Sequence, residues 1–365
     1  MMDICGRILG WGVVLLCLGG IATDLSDFAL APWYWWATSC WSLVAVAFAV
    51  VRGQMLVYAV KRLLESFVVI VIIATLTFML LRFLPGGPFD SEKALPPEIK
   101  ANIEEKYGLN KPIAEQYVNY MIGLAHGDLG ESYKYIGRPV SEIIAESFPT
   151  SFQLGLYSLL LAFAIGIPLG VFAASRHNSF MDNGLMILAI SGVALPSFIV
   201  GPLLVMIFSF GVPFSAFHGL LPPALWESPI YYIMPVVTLG IRPAAIIARM
   251  TRSSMLDVIQ SDFVRTARAK GVAPYLVLYK HVLKNSLIPV LTLSGPLIAG
   301  VLSGSFIVEI VFGIPGMGKH LVQSVSNRDY PLILGVTLVF SVMLVVANLI
   351  VDLLYTVVDP RIKLS

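Results

Sequence analysis

Charge is what this sequence has least of. Asp, Glu, Lys and Arg supply 13% of its 365 residues, against about a quarter in a soluble domain. Hydrophobic residues supply 57%, and the mean hydropathy is +0.84. So few charges cannot keep that much apolar surface in water, which excludes an ordinary soluble fold. Cysteine is scarce too. Cys5, Cys17 and Cys40 lie in or beside the first two apolar runs without metal-ligand spacing, and they read as small apolar side chains in lipid. A net charge of +2 gives no reason to expect nucleic acid or an acidic partner. Period-two alternation is missing from the apolar runs, which argues against a membrane barrel. A bilayer demands that every backbone polar group be satisfied internally, so the fold class is all-α, a bundle of membrane helices.

What is present are runs long enough to span, which takes about 20 apolar residues. They cover 8–22, 33–51, 64–84, 150–174, 184–210, 231–250, 287–312 and 332–358. Pro85, Gly86, Gly87 and Pro88 end the third sharply, while Pro196, Pro202, Pro235, Pro243 and Pro296 interrupt later ones. The last six runs form one coherent set. Residues 1–55 read as an additional N-terminal hairpin and 56–365 as the main domain.

Basic residues concentrate on the cytoplasmic side of membrane proteins. Arg52, Lys61 and Arg62 precede the third run. Arg176 and His177 separate the fourth from the fifth, and Arg361 and Lys363 follow the last. Between the sixth and seventh lie Arg249, Arg252, Arg265, Arg268, Lys270, Lys280 and Lys284. These clusters fall on alternate loops, so one orientation makes all of them cytoplasmic. An N-terminal hairpin keeps the first residues cytoplasmic, whereas a signal peptide cleaved near Ala31 is the alternative. Trp33, Tyr34, Trp35 and Trp36 suit an interfacial aromatic belt. On the outer side, 89–147 is long and polar. Its pattern of Ile99, Ile103 and Tyr107 predicts a short helix ended at Gly108, in a segment that caps the bundle mouth or meets a partner there, the alternative being a solvated loop.

The segment 251–286 is too long for a simple connection and too amphipathic for a disordered one. Phe263 to Lys270 reads as a basic amphipathic helix closed at Gly271. A second pattern puts Tyr275, Leu276, Leu278, Tyr279, Val282 and Leu283 on one side and Lys280, His281 and Lys284 on the other. Two short surface helices would form a rigid handle for a cytoplasmic partner. The other reading is that the charges set orientation and touch anionic lipid.

The handle resembles the coupling loop of ABC-importer permeases. Arg265, Thr266 and Ala267 stand where the family has Glu-Ala-Ala, followed by Gly271 and His281 at the family's spacing. Arg in place of Glu resembles the oligopeptide/dipeptide permease subfamily. Further matching words are Pro85-Gly86-Gly87-Pro88-Phe89, Leu95-Pro96-Pro97, Tyr107-Gly108-Leu109, Gly127-Asp128-Leu129-Gly130, Pro196-Ser197-Phe198, Ser303-Gly304-Ser305, Arg328-Asp329-Tyr330 and Asp359-Pro360-Arg361-Ile362-Lys363. The resemblance implies a six-helix permease core in a bacterial inner membrane that carries peptides and catalyses no bond change. A nickel chelate is an alternative solute. It implies a second homologous permease, two cytoplasmic ATPase subunits and an external or periplasmic solute-binding protein as partners, besides membrane lipid. ATP and Mg would be held by the ATPases, with no cofactor or metal in this chain. Contact with an ATPase would fall on Arg265, Thr266, Ala267, Arg268, Ala269, Lys270, Gly271, Tyr275 and His281.

Two features compete with that reading. Residues 313–320 nearly spell a P-loop, but His320 replaces the hydroxyl residue and no strand precedes it; a Gly/Pro turn before a short outer helix is expected. Glu309, Asn348 and Asp352 fall within or near spans, where ionisable groups are functional by default. Such groups would serve a proton-coupled secondary transporter, whereas Glu309 and Asp352, close to span ends, could instead snorkel to the interface.

Overall fold

The computed structural model describes residues 54–83, 87–89, 97–302 and 306–358. The two N-terminal runs with their cysteines and tryptophans, the words at 85–86 and 95–96, the triplet 303–305 and the terminal 359–363 lie outside the described residues. The chain divides into two units, 1–61 with 364–365, and 62–363; the second holds the fold described below.

Among the described residues there are twelve α-helices of six residues or more, one single α-helical turn (Pro274–Leu276) and no strand. In order they are α1 (Gln54–Phe83), α2 (Pro97–Lys106), α3 (Ile113–Ala125), α4 (Val140–Ser175), α5 (Phe180–Ala194), α6 (Ser197–Phe208), α7 (Pro229–Ile259) and α8 (Asp262–Ala269). Then come α9 (Lys284–Leu302), α10 (Phe306–Val311), α11 (Met317–Asn327) and α12 (Tyr330–Val358). Five stretches are long and apolar enough to cross a membrane: Val60–Phe83, Val140–Ser175, Pro229–Ile259, Ser294–Val311 and Tyr330–Asp352. The expected span 184–210 is instead the pair α5 and α6, bent by 109° at Leu195 and Pro196. Pro196 is the cause, because its ring bars the preceding residue from helical geometry and it has no N–H to give.

The centre is α4 laid along α7. Small residues on α4 (Ser158, Ala162, Gly166, Gly170) are buried at four-residue spacing, facing Gly240, Ala244 and Ala248 of α7, while Gly155 meets Val301 and Leu302 of α9. Lipid gives helices no hydrophobic reason to associate, so close backbone approach supplies the attraction. The approach is tight. A methyl group on Gly166 would sit 2.7 Å from the Ala244 carbonyl oxygen, and one on Gly170 2.5 Å from that of Ala248.

The end of the bundle away from the basic clusters is knitted by buried acids. Glu309, fully buried, accepts from Ser151 Oγ at 2.8 Å and from the backbone N–H groups of Gly318 at 2.7 Å and Lys319 at 3.2 Å. It does not snorkel. The P-loop-like turn wraps its helix-start amides around this carboxylate, an internal anion in place of a phosphate. Gly316 and Gly318 are required for the approach, since a methyl group on either would lie within 2.8 Å of the Glu309 carboxylate. Asp352 does not stand free at its span end either: Arg62 Nε reaches it at 3.1 Å.

Asp329 caps α12 through Leu332 N, at 3.4 Å, and Ile333 N–H donates to its main-chain oxygen at 3.0 Å. Its carboxylate also takes Ser132 Oγ and the N–H groups of Tyr133 and Lys134, pinning the 132–134 loop. Arg328 donates to the Gly87 carbonyl at 3.3 Å. Tyr133, Tyr107, Phe89 and Tyr330 form a contiguous ring cluster. Burial pushes the Tyr120 and Tyr133 hydroxyls up to about 12, so both stay neutral. Burial also holds His320 below its usual value, with the Lys319 and Arg138 charges acting in the same direction and Glu146 opposing. The outer segment is thus a packed cap rather than a free loop. It contains α2, as the apolar spacing predicts, and α3, which that spacing did not reveal.

Two substitutions test this frame. Gly170→Leu forces α4 off α7 and is expected to cost about 3 kcal/mol, read as a lower midpoint in thermal unfolding of the solubilised chain. Gly184→Leu, where a side chain meets nothing within 4 Å, should leave the midpoint near its starting value. Glu309→Ala strands Ser151 and two amides and should cost about 2–3 kcal/mol in the same measurement; an unchanged midpoint would show that the turn does not depend on the acid.

Candidate functional site

The basic end of the bundle carries an amphipathic handle. α7 does not stop where its apolar run ends at 250 but continues to Ile259, because Thr251, Ser254 and Met255 keep a buried face against the end of α4. The expected loop 251–286 is therefore mostly helix continuous with the bundle. Only the segment around α8 departs from it.

Ser261 precedes α8, and Val264 and Ala267 are its buried positions. Both pack into a cluster with Val171 and Ala174 of α4, Met255 of α7, and Val277 and Val282. The helix ends as expected. Gly271 takes φ +73°, its N–H donates to the Arg268 carbonyl at 3.0 Å, and Val272 N–H reaches Ala267 at 3.2 Å. That pair of reverse bonds is a Schellman cap, which favours glycine at the left-handed position.

Beyond the cap, Pro274–Leu276 forms one helical turn that runs into a π-helical stretch, Val277–Leu283, and so into α9. Here the expected face is partly right: Leu278, Val282 and Leu283 pack inward and Lys280 and Lys284 are exposed. The buried positions are Val277 and Val282, five residues apart as an i→i+5 helix requires, while Tyr275, Leu276 and Tyr279 are exposed. A 3.6-residue period cannot pair those two. Ser254 Oγ donates to the Ser286 carbonyl at 2.9 Å and ties this arm back to α7.

Of the nine residues expected to meet a partner, Arg265, Thr266, Arg268, Ala269, Lys270, Gly271 and Tyr275 are exposed, His281 is half-buried, and Ala267 is buried under the helix. Ala267 therefore anchors the handle rather than presenting itself. Phe263, Leu276 and Tyr279 join the exposed set, giving an outward surface that mixes rings with Arg265, Arg268 and Lys270. An exposed apolar patch rimmed by charge marks an interaction surface.

The handle's base is fixed by an ion pair absent from the sequence reading. Arg252 donates from Nε and Nη2 to the two oxygens of Asp182 at 2.6 Å and 2.7 Å, and Asn178 N–H adds a bond at 3.0 Å. Asp182 is fully buried, so this bidentate pair locks the start of α5 to α7. Ser179-x-x-Asp182 before an apolar run is a helix-start signature that could have drawn attention to it. Ser179 Oγ does accept the Asp182 N–H, at 3.1 Å.

Residues 166–364 match the family described as "Binding-protein-dependent transport system inner membrane component", and 55–155 match "Binding-prot-dependent transport system membrane comp, N-term". The dipeptide transport system permease protein of Bacillus subtilis is 42% identical over 307 residues, covering 84% of this chain and 98% of that protein. The oligopeptide transport system permease protein of Salmonella typhimurium is 43% identical over 311 residues, covering 85% and 100%. Among solved structures, the inward-facing MetNI methionine ABC transporter aligns with 61% of this chain and all of its own at 16% identity and a TM-score of 0.47. With family matches across 55–155 and 166–364 and such relatives over most of its length, this chain belongs to the inner-membrane permease components of binding-protein-dependent transport systems.

Proposed function

We propose that this chain is one of two homologous permease subunits in an ATP-driven importer of short peptides, with its basic end in the cytoplasm and its N-terminus on the same side. The observation that carries this reading is the α8 handle, a rigid surface of rings and cations built on the ends of α4 and α7. Names of the relatives support peptides as the solute. Positive residues on the handle's side support its cytoplasmic placement.

In this mechanism each of two ATPase subunits binds ATP with Mg and receives a permease handle in a surface groove. Closure of the ATPases on ATP moves the handle. α7 is a single 31-residue helix from the handle into the bundle, and the Asp182–Arg252 pair makes α5 move with it. A displacement at α8 is thereby a displacement of the path-lining helices. The two end states differ in which face of the bundle is open, and ATP must bind one better than the other for the cycle to run. A solute-binding protein delivers peptide at the opposite end, where the packed cap and a cavity of about 510 Å³ among Phe78, Arg82, Tyr107 and Tyr330 lie.

Gentle extraction of a tagged chain, followed by mass spectrometry, should recover two ATPases and a second permease. Recovery of this chain alone, from a preparation that keeps other complexes whole, would remove the reading. Gly271→Leu places a side chain at φ +73°, a strain of about 1–2 kcal/mol confined to the end of the handle. Membrane insertion should persist while peptide uptake falls and ATP hydrolysis no longer responds to the loaded binding protein. Normal uptake by this variant would place the coupling surface elsewhere.

A further inference from the structure

Arg242 sits near the middle of the apolar part of α7, where a charged side chain is among the costliest to place. The other buried or span-located charges described above are matched: Glu309 by the 316–319 turn, Asp182 by Arg252, and Asp352 by Arg62. Arg242 is different. Among the described residues, no hydrogen bond or ion pair engages its guanidinium, and its side chain is exposed.

It lines a cavity of about 360 Å³ together with Leu195, Ser197, Thr238, Pro243, Pro296 and their neighbours. Three departures from regular helix meet at this cavity. The 109° bend between α5 and α6 opens it at Leu195 and Ser197. Pro243 has no N–H to return to the carbonyl of Leu239, which also lines the space, and Pro296 interrupts α9 on the facing wall. Freed backbone groups at membrane depth persist where they border a polar, water-accessible space rather than lipid. The charge comes from Arg242, and the first amides of α6 at Ser197 add only the weak positive end of a helix.

We infer that Arg242 is a carboxylate-binding station midway along the translocation path, taking the terminal carboxylate of the solute as it passes. The inference rests on the importer reading and names how the path receives its cargo. A guanidinium holds a carboxylate through two parallel hydrogen bonds, and the free Leu239 carbonyl beside it suits an N–H donor. A peptide brings a carboxylate for the guanidinium and an N–H for the carbonyl that Pro243 leaves without its usual donor. A fixed acid on a neighbouring subunit would satisfy the guanidinium by contact alone and would leave the cavity without an occupant. Release remains possible because the site is open to water in one state, so the charge is a transient stop rather than a trap.

The test is uptake of radiolabelled trialanine, at saturating binding protein, by the assembled complex carrying Arg242→Lys, Arg242→Gln or Arg242→Glu. Lys should keep the maximal rate within about threefold, Gln should lower it about tenfold, and Glu should lower it further, the scale of losing one desolvated charge contact. The half-saturating trialanine concentration, set outside the membrane, should move little. Size-exclusion of each complex reads assembly in parallel. A Gln variant that transports at the wild-type rate overturns the inference, as does a Lys variant that fails as fully as Gln. A Gln variant that no longer retains the second permease also overturns it, because Arg242 would then be an inter-subunit ion pair. Absence of trialanine uptake by the wild-type complex defeats the peptide-importer reading itself and this station with it, an outcome distinct from any variant effect.

Discussion

The close approach of α4 to α7 is the constraint on which the other features depend. Where Gly166 and Gly170 meet the carbonyls of Ala244 and Ala248, no side chain separates the two backbones, so their relative register is fixed by shape. Both ends of the pair then serve as platforms. At one end Val171, Ala174 and Met255 form the floor on which α8 sits. At the other, Ser151 of α4 donates to Glu309 and accepts from Met317 N–H at 2.8 Å, so the α10–α11 turn is registered to the same helix. A handle and a cap that are far apart in the chain are thus referred to one rigid pair, which is what a lever between two membrane faces requires.

A second regularity follows from the low-dielectric surroundings. Unpaired charge in lipid is costly, and buried acids here are each met by several donors from nearby backbone or by an arginine fork. Glu309 and Asp329 both use helix-start amides, placing negative charge at the positive end of a dipole. Asp182 uses Arg252. Against that pattern Arg242 stands out by its lack of a partner, and its position beside a proline-broken wall gives the exception a physical meaning.

The sequence made the spans legible because each is a long uniform apolar run, and it made the α8 cap legible because Gly271 follows a basic amphipathic stretch at the right distance. Pro196 announced a break but not its size; the angle depends on how α6 packs against α7 and α10. In 277–283 the inward packing of Leu278, Val282 and Leu283 was legible, whereas the burial of Val277 and the exposure of Tyr275 and Tyr279 were not, because the segment winds as a π-helix rather than at 3.6 residues per turn. α3 was legible in principle, since Ile113, Tyr117, Tyr120 and Leu124 recur at helical spacing; what the sequence hides is that Tyr117 and Tyr120 pack on Phe78 of α1. Glu309 looked like a free intramembrane acid because its partners, Ser151 and the amides of Gly318 and Lys319, are placed by tertiary contact. The same turn looked like a nucleotide loop because both uses draw on one property, exposed amides at a helix start.

These pairings bear on the source of energy for transport. A proton-coupled carrier needs an acid whose protonation changes with the state of the path. Glu309 is enclosed by its own turn with a hydroxyl and two amides already donated to it, and protonation would break bonds that hold α10 to α11. Asp352 faces Arg62 and does not line the cavity beside Arg242. Among the described residues, Glu309, Asp182 and Asp352 each brace the bundle through a donor from a neighbouring element. The proposed coupling to an outside ATPase rests on α8, where rings and cations are exposed on a helix that is anchored from beneath by Val264 and Ala267.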